Sequence, residues 1–388
     1  MTRRLGLLTI FLIWPMGVLA QLSISVGYLK VEQPRGASLS NIDPTPVDAG
    51  LAGARLGVGD NLTSGTFLGH KYKLLETRVD SRGDVQAAAR VLLADVAVLI
   101  VDAPSQDLVA IADLADAQNR IVFNVAAGGS ALRDDACRAN LLHSGVSDLM
   151  RSDALIQFLS SKRWRRISII AGPRQRDTDF MQAIQRSAAK FRLQIVDDIV
   201  WDVDADMRRN AAQEVPILTQ NFKAHDVTMV IDTADDFGRY IAYNTWQAKP
   251  IVGTEGLAAR GWSEVIERWG AAQLQSRFEA LSGRSMRADD YAAWAAMRSV
   301  GEAVTRTGSA EAATLRSYML SDQFELAGFK GRALSYRDWN GQLRQPIPLV
   351  TDRAMVAIAP LPGFLHQQTE LDTLGLDRFE SRCQAFQP

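Results

Sequence analysis

The sequence predicts an α/β fold of two lobes, each a parallel sheet flanked by helices. Three observations carry that expectation. Strand-type and helix-type patterns alternate along the chain, the signature of a doubly wound sheet. The run Val96 to Val101 is continuously apolar, as expected for a parallel strand covered on both faces. The chain has 388 residues, too many for one domain of roughly 150.

The first residues stand apart from the fold. Arg3 and Arg4 form a short positive region, Leu5 to Leu19 is an apolar run, and Val18-Leu19-Ala20 offers a cleavage site. This pattern predicts a secretory signal over residues 1–20 and a soluble mature chain that begins near Gln21 in the periplasm. The apolar run is short for a membrane span, which needs about 20 residues.

Ser23 to Leu29 reads as the first strand, followed by a polar, proline-containing loop from Glu32 to Pro46. Val47 to Asn61 has a helical pattern with Gly50, Gly53 and Gly57 on one side, a small-residue face that lets a helix lie close on a sheet. Tyr72 to Val79 reads as a strand, Asp84 to Leu93 as a helix, Ser105 to Asp116 as a helix and Ile121 to Val125 as a strand. A second round begins with a helix from Ser147 to Ser161, a strand from Ile167 to Ala171 and a helix from Thr178 to Phe191. Gln194 to Val200, Val227 to Ile231 and Pro250 to Gly253 read as strands, the last two separated by a helix through Phe237 and Tyr240. Ser263 to Leu281 and Asp290 to Thr305 read as longer helices. Asp338-Trp339-Asn340-Gly341 predicts a tight hairpin turn between Ala333–Tyr336 and a strand after Leu343. The expected division is residues 21–143 with about 258–330 in one lobe, 144–257 with about 331–359 in the other, and an irregular tail over 360–388.

Ligands of open parallel sheets bind beyond the carboxyl ends of the strands, so two facing lobes would share one cleft. The net charge of −1 gives no basis for binding nucleic acid or an anionic membrane. The four histidines lack zinc-like spacing, and the sequence carries no Gly-x-Ser-x-Gly, His-Glu-x-x-His or phosphate-loop motif, so an enzyme is not expected. Asp232, Asp235 and Asp236 follow a strand and form a candidate oxygen cluster for a hard cation; the alternative is that Asp235 caps the following helix. Cys137 and Cys383 are the two cysteines, and in an oxidising compartment an even pair predicts a bridge.

Leu51-Ala52-Gly53-Ala54-Arg55-Leu56-Gly57 running to Asp60-Asn61, then Gly69 to Leu74, then Val79-Asp80-Ser81, resembles the opening of the leucine/isoleucine/valine type of periplasmic solute-binding protein, type I. Val252-Gly253-Thr254-Glu255-Gly256-Leu257 resembles a cleft motif of the same family. Leu141-Leu142-His143, Asp235-Asp236-Phe237-Gly238, Phe329-Lys330-Gly331, Gly341 to Ile347 and Gly363-Phe364-Leu365-His366 resemble a subfamily associated with PQQ-dependent alcohol oxidation.

The resemblance implies a monomeric substrate-binding component of an ABC transporter, with a membrane permease as partner and no cofactor. The ligand it implies is PQQ or another small molecule of the quinoprotein pathway. The alternatives are an amino-acid or metal-ion binder, or a sensor for a signalling partner. Glu255 aligns with the acid that pairs an α-ammonium in amino-acid binders. The first-lobe loops depart from those binders, reading Asp102-Ala103-Pro104-Ser105 and Asn124 to Ser130. Ser105 could meet a carboxylate at a helix N-terminus, although Asp102 beside it opposes an anion. Ala126, Gly128 and Gly129 could approach a ligand with backbone N–H groups. For a planar, tricarboxylate ligand, Trp246 and Trp262 are the candidate stacking faces and Arg35 and Arg260 the candidate cations, whereas Trp269 and Trp294 read as core.

Overall fold

A computed structural model describes residues 22–33, 44–201 and 207–386. The proposed signal segment and Arg35 lie outside the described residues. The first unit runs β1 (Leu22–Glu32), α1 (Leu51–Gly65), β2 (His70–Asp80), α2 (Val85–Asp95), β3 (Val98–Asp102), α3 (Ser105–Ala112), β4 (Ile121–Asn124) and β5 (Leu141–His143). These five strands make one parallel sheet in the order β2-β1-β3-β4-β5. Asp84 begins α2 by accepting the Ala87 N–H at 2.8 Å.

The second unit runs α4 (Asp148–Ser161), β6 (Arg166–Ala171), α5 (Gln175–Phe191), β7 (Gln194–Val200), α6 (Met207–Thr219), β8 (Val227–Ile231), β9 (Ile251–Gly253) and β10 (Leu257–Ala259). Helices α7 (Ala271–Ser282), α8 (Ala288–Thr307) and α9 (Ala312–Met319) follow, then β11 (Leu326–Ala327), β12 (Ala333–Tyr336), β13 (Leu343–Arg344), β14 (Ile347–Val350) and β15 (Met355–Ala359). The second sheet has the order β15-β14-β10-β9-β8-β6-β7, in which only β14 runs against the other strands. Among the described residues no helix is long and apolar enough to cross a membrane.

Each sheet has its own core. Ile24, Ile100 and Phe123 pack with Trp262, Tyr291, Trp294, Tyr336 and Leu343, whereas Ile169, Met229 and Ile231 pack with Leu155, Ile347, Leu349 and Leu374. The chain therefore crosses between cores near residues 144–147, near 260 and between Leu343 and Ile347. This moves two of the expected boundaries. Leu257 to Ala259 pair into the second sheet, and the hairpin of Leu334, Tyr336 and Leu343 belongs to the first core rather than the second.

Of the three glycines, Gly50, just before α1, meets the sheet, where a Cβ would stand 2.3 Å from Tyr28 Oη, whereas Gly53 and Gly57 meet a helix. A Cβ at Gly53 would stand 1.8 Å from the Asp290 carbonyl oxygen, and one at Gly57 2.7 Å from Met297 Cβ. These small residues let α8 lie against α1, which sets the position of the α8 N-terminus.

Three other expectations change. The helix over 263–281 begins only at Ala271, because Trp269 and Gly270 both take left-handed backbone angles that break it. The helix through Phe237 and Tyr240 is a single 3-10 turn, Gly238–Tyr240. The hairpin pairs Tyr336 with Leu343, so its loop spans six residues and not a two-residue Asn-Gly turn. Helix α6 escaped the sequence pattern; Pro216 lies inside it and interrupts the helical signal.

The tail touches both cores. Leu374 packs on the second, and Gly375 N–H donates to Asp153 at 2.7 Å. Arg337 and Arg344 from the hairpin loop and β13 share Asp372, each with its Nε within 2.9 Å. Cys383 then forms a disulfide with Cys137, beyond β4.

Candidate functional site

A cavity of about 340 Å³ opens between the two sheets. Its walls are the loops at the carboxyl ends of β4, β5, β8 and β9, together with β10, the first turns of α4 and α5 and the N-terminus of α8. Loops from both units therefore meet in one cleft, as the open-sheet rule predicts.

The first-unit loops are held from behind by a buried polar knot. Asn124 accepts the N–H groups of Ala126 and Ala127 at 3.2 and 2.9 Å. Arg133, which is fully buried, donates to the carbonyls of Ala127 and Gly129 at 2.7 and 3.0 Å and to Gln342 at 2.9 Å. It has no acidic partner among these contacts, and burial pushes its guanidinium down to about 9. His143 bonds Asn124 and the Leu132 carbonyl, and burial, with the Arg133 charge next, pushes its imidazole well below its ordinary value. It is thereby a neutral structural group at neutral pH.

The second-unit wall carries arginines. Asp148 is buried and clasped by both terminal nitrogens of Arg176, one at 2.7 Å. Burial raises its carboxyl, but the bonds and charge of Arg176 with the charges of Arg151 and Arg133 outweigh this and hold it below the ordinary range. Arg151 donates to the Ala259 carbonyl at 3.0 Å and lies 4.7 Å over the Phe180 ring. Arg260 lines the cleft and is exposed to it.

The first-unit wall carries Asp289, in the first turn of α8. The neighbouring Asp290 is spent on Arg284 at 2.7 and 2.9 Å and on the Gly50 N–H at 2.8 Å. Asp289 has no such partners among the described residues. It is exposed to the cleft, and loss of water within the cleft, with the charges of Asp102 and Asp290, pushes its carboxyl up to about 6.

Of the residues singled out in the sequence, Ala126, Gly128, Asp232 and Arg260 line the cleft. Gly128 is required there, since a Cβ would stand 2.6 Å from Asp148. Gly129 lies one residue beyond, beside Ser105, and neither belongs to the lining. Asp102 is paired with Lys30 at 3.0 Å. Glu255 lies outside the lining, against Gly238; burial, with Asp235, Asp352 and Asp232, raises its carboxyl.

The two stacking candidates do not face the cleft. Trp246 is 63% exposed and outside the cleft lining, its backbone N–H donating to the Thr219 hydroxyl, and Trp262 is 2% exposed and stacked on Tyr291 at 4.7 Å. Tyr291 does line the cleft, but Lys330 Nζ lies 4.2 Å over its ring. Trp262 and Lys330 cannot share one face, so both faces of Tyr291 are covered.

The candidate cation cluster is also committed elsewhere. Asp232 accepts three backbone N–H groups, from Asp236, Phe237 and Gly238, at 3.0, 2.7 and 2.7 Å. Asp235 pairs with Arg239 and Asp236 with Arg174. Among the described residues no three metal-ligating side chains converge. The sequence reading missed Ser144, Arg151, Arg176 and Asp289. Their spacing carries no motif, because they meet only when four elements converge.

A family model described as periplasmic binding protein matches residues 46–351. No curated protein matches the sequence. A periplasmic binding protein from Burkholderia mallei superimposes with a TM-score of 0.67 at 13% identity, over 94% of this chain and 99% of that one. A branched-chain amino acid ABC transporter ligand-binding protein from Burkholderia xenovorans gives 0.70 at 15% identity, over 94% and 100%. The branched-chain amino acid substrate-binding protein of Streptococcus pneumoniae, solved with isoleucine, gives 0.63 at 15%, over 87% and 98%. At these identities the likeness establishes the fold. The family match spans most of the chain, and the chain belongs to the periplasmic binding protein family.

Proposed function

We propose that this member of the family is the substrate-capturing component of an ABC transporter, working in the periplasm with a membrane permease. The observation that supports it most is the cleft itself. It is concave, of about 340 Å³, and lined by charged groups from both sheets. That is at the small end of the roughly 300–1,000 Å³ typical of small-molecule sites. A ligand touching both walls favours the closed arrangement by its differential contacts, and the closed form is the one a permease would recognise.

The ligand we favour is small and charged. PQQ, which the subfamily resemblance implies, would find arginines in the cleft but no open aromatic face, since Trp246, Trp262 and both faces of Tyr291 are elsewhere engaged or turned away. An amino-acid-like ligand needs no such face, and two of the structural relatives are described as branched-chain amino acid transporter components, one of them solved with isoleucine. Calorimetry and thermal shift against the common amino acids and PQQ test the reading. Saturable binding with a raised Tm for at least one compound is expected; no response to any of them would count against capture.

A further inference from the structure

Trp246 has no place in the cleft, and its position on the second sheet gives it another. The cleft lies beyond the carboxyl ends of the strands. Trp246 lies towards the other end, in the segment that leads into β9, and is 63% exposed. Three further strands begin beside it, in the order β9, β8, β6, β7. Their starts are tied together by Thr228 N–H to the Pro250 carbonyl, Asp226 N–H to that of Arg166 and Gln194 N–H to that of Arg165, at 3.0, 2.9 and 2.8 Å. Three inter-strand spacings make this edge roughly 15 Å wide.

The approaches to these strands are basic. Lys249 precedes β9 and Lys223 precedes β8; Lys162, Arg163 and Arg165 lead into β6, which begins with Arg166; Arg192 precedes β7. All are exposed except Lys249, which is half-buried. Of them only Lys223 has an acidic partner among the described residues, Asp197 at 3.6 Å. Asp226, beside them, accepts the backbone N–H groups of Arg165 and Arg166 at 2.7 and 2.9 Å. Arg163 and Arg192 follow α4 and α5 in left-handed backbone angles, where glycine is usual, so backbone ease does not explain them. Arg165 and Arg166 lie beyond the last turn of α4, so the helix dipole does not explain those. At the β7 end of the row Leu365 is 82% exposed, next to Phe364, whose ring meets Phe191 at 5.4 Å. The net charge of −1 conceals this pole, because acids elsewhere in the chain cancel it.

We propose that this pole of the second unit docks on an anionic phospholipid bilayer. Exposed cations attract acidic headgroups, each by about fivefold in affinity near the surface. Trp246 and Leu365 flank the cations as apolar groups able to enter the headgroup region, and tryptophan is enriched at membrane–water interfaces. An acidic protein would use the cations but has no need of two exposed apolar side chains at opposite ends of the row. The contact is peripheral, since no helix among the described residues can cross a membrane. The cleft lies at the other ends of the same strands, so docking leaves it open. It also concentrates the chain at the bilayer that carries the permease.

The test is co-sedimentation of the full mature chain with vesicles of phosphatidylcholine alone or with about 30% phosphatidylglycerol, at about 0.05 M and about 0.5 M salt. At low salt the chain should partition into the acidic vesicles about tenfold or more above the neutral ones, with a blue shift of tryptophan emission, and high salt should release it. Arg163→Gln, Arg165→Gln and Arg166→Gln combined should lose about tenfold or more in partition. Trp246→Ala should lose a smaller factor and most of the blue shift. The salt dependence of the wild-type chain tests the same claim without any substitution. Equal partition into both vesicles, no partition into either, or a folded triple variant that binds as the wild type does would overturn the proposal. Tighter binding to soluble polyglutamate than to the acidic vesicles would assign the pole to an acidic protein and overturn it as well. None of these outcomes depends on what the cleft binds.

Discussion

The seam between the two sheets is built from the same residue types on its cleft side and on its tail side, and the two are wired differently. On the tail side Arg337 is 1% exposed, shares Asp372 with Arg344, and donates to the carbonyls of Leu371, Leu374 and Leu376. Lys190 sits between Asp153 and Glu380, Arg382 holds Asp134, and the disulfide closes the strap. On the cleft side Arg260 and Asp289 face each other's wall without partners among the described residues. Charges that are paired and buried hold the units together; charges left unpaired at the edge of water are what a ligand can recruit. The first arrangement stores stability, and the second holds some of it back.

That contrast can be broken from either side. The largest effect is expected from the strap. Replacing Cys137 and Cys383 by Ala frees a loop with a sequence separation of 246, which should cost about 5 kcal/mol in chain-entropy terms. Denaturant unfolding measures it, and a loss below about 1 kcal/mol would mean that the tail is no strap. Next, Asp372→Ala leaves two buried guanidiniums without their carboxylate and should cost about 3–5 kcal/mol in the same assay. In contrast, Arg260→Gln should change stability by no more than about 0.5 kcal/mol while weakening ligand binding.

The smallest effect has the opposite sign. The folded protein raises the Asp289 carboxyl to about 6, above its unfolded value, so the ionised group opposes folding above that pH, and the penalty fades as the pH falls towards the unfolded value. Asp289→Asn should therefore raise Tm at neutral pH and leave it nearly unchanged in acid. A lowered Tm at neutral pH would show that Asp289 has a structural partner.

The fold was legible because its signals are local. Val98 to Val101 are buried on both faces as their apolar run predicts, and Ser147 caps α4 by accepting the Met150 N–H at 3.1 Å. Boundaries failed where backbone angle decided, as at Trp269 and Gly270, or where proline masked the period, as at Pro216. The cleft was legible only where a loop itself forms the wall, at Ala126, Gly128, Asp232 and Arg260. Tryptophans mislead as ligand markers, since their apolar area is more easily satisfied by a core, as for Trp262, than by a cleft. Asp289 could not be separated from Asp290 by sequence. Their roles diverge only because one helical step turns Asp290 toward Arg284 and the Gly50 N–H.

The most direct measurement is small-angle scattering of the mature protein with and without each common amino acid and PQQ. The radius of gyration should fall when a binding compound is added to the wild-type chain, and the fall should be lost in Arg260→Gln at the same ligand concentration. A compound that binds tightly while leaving the radius unchanged would contradict capture by closure between the two walls.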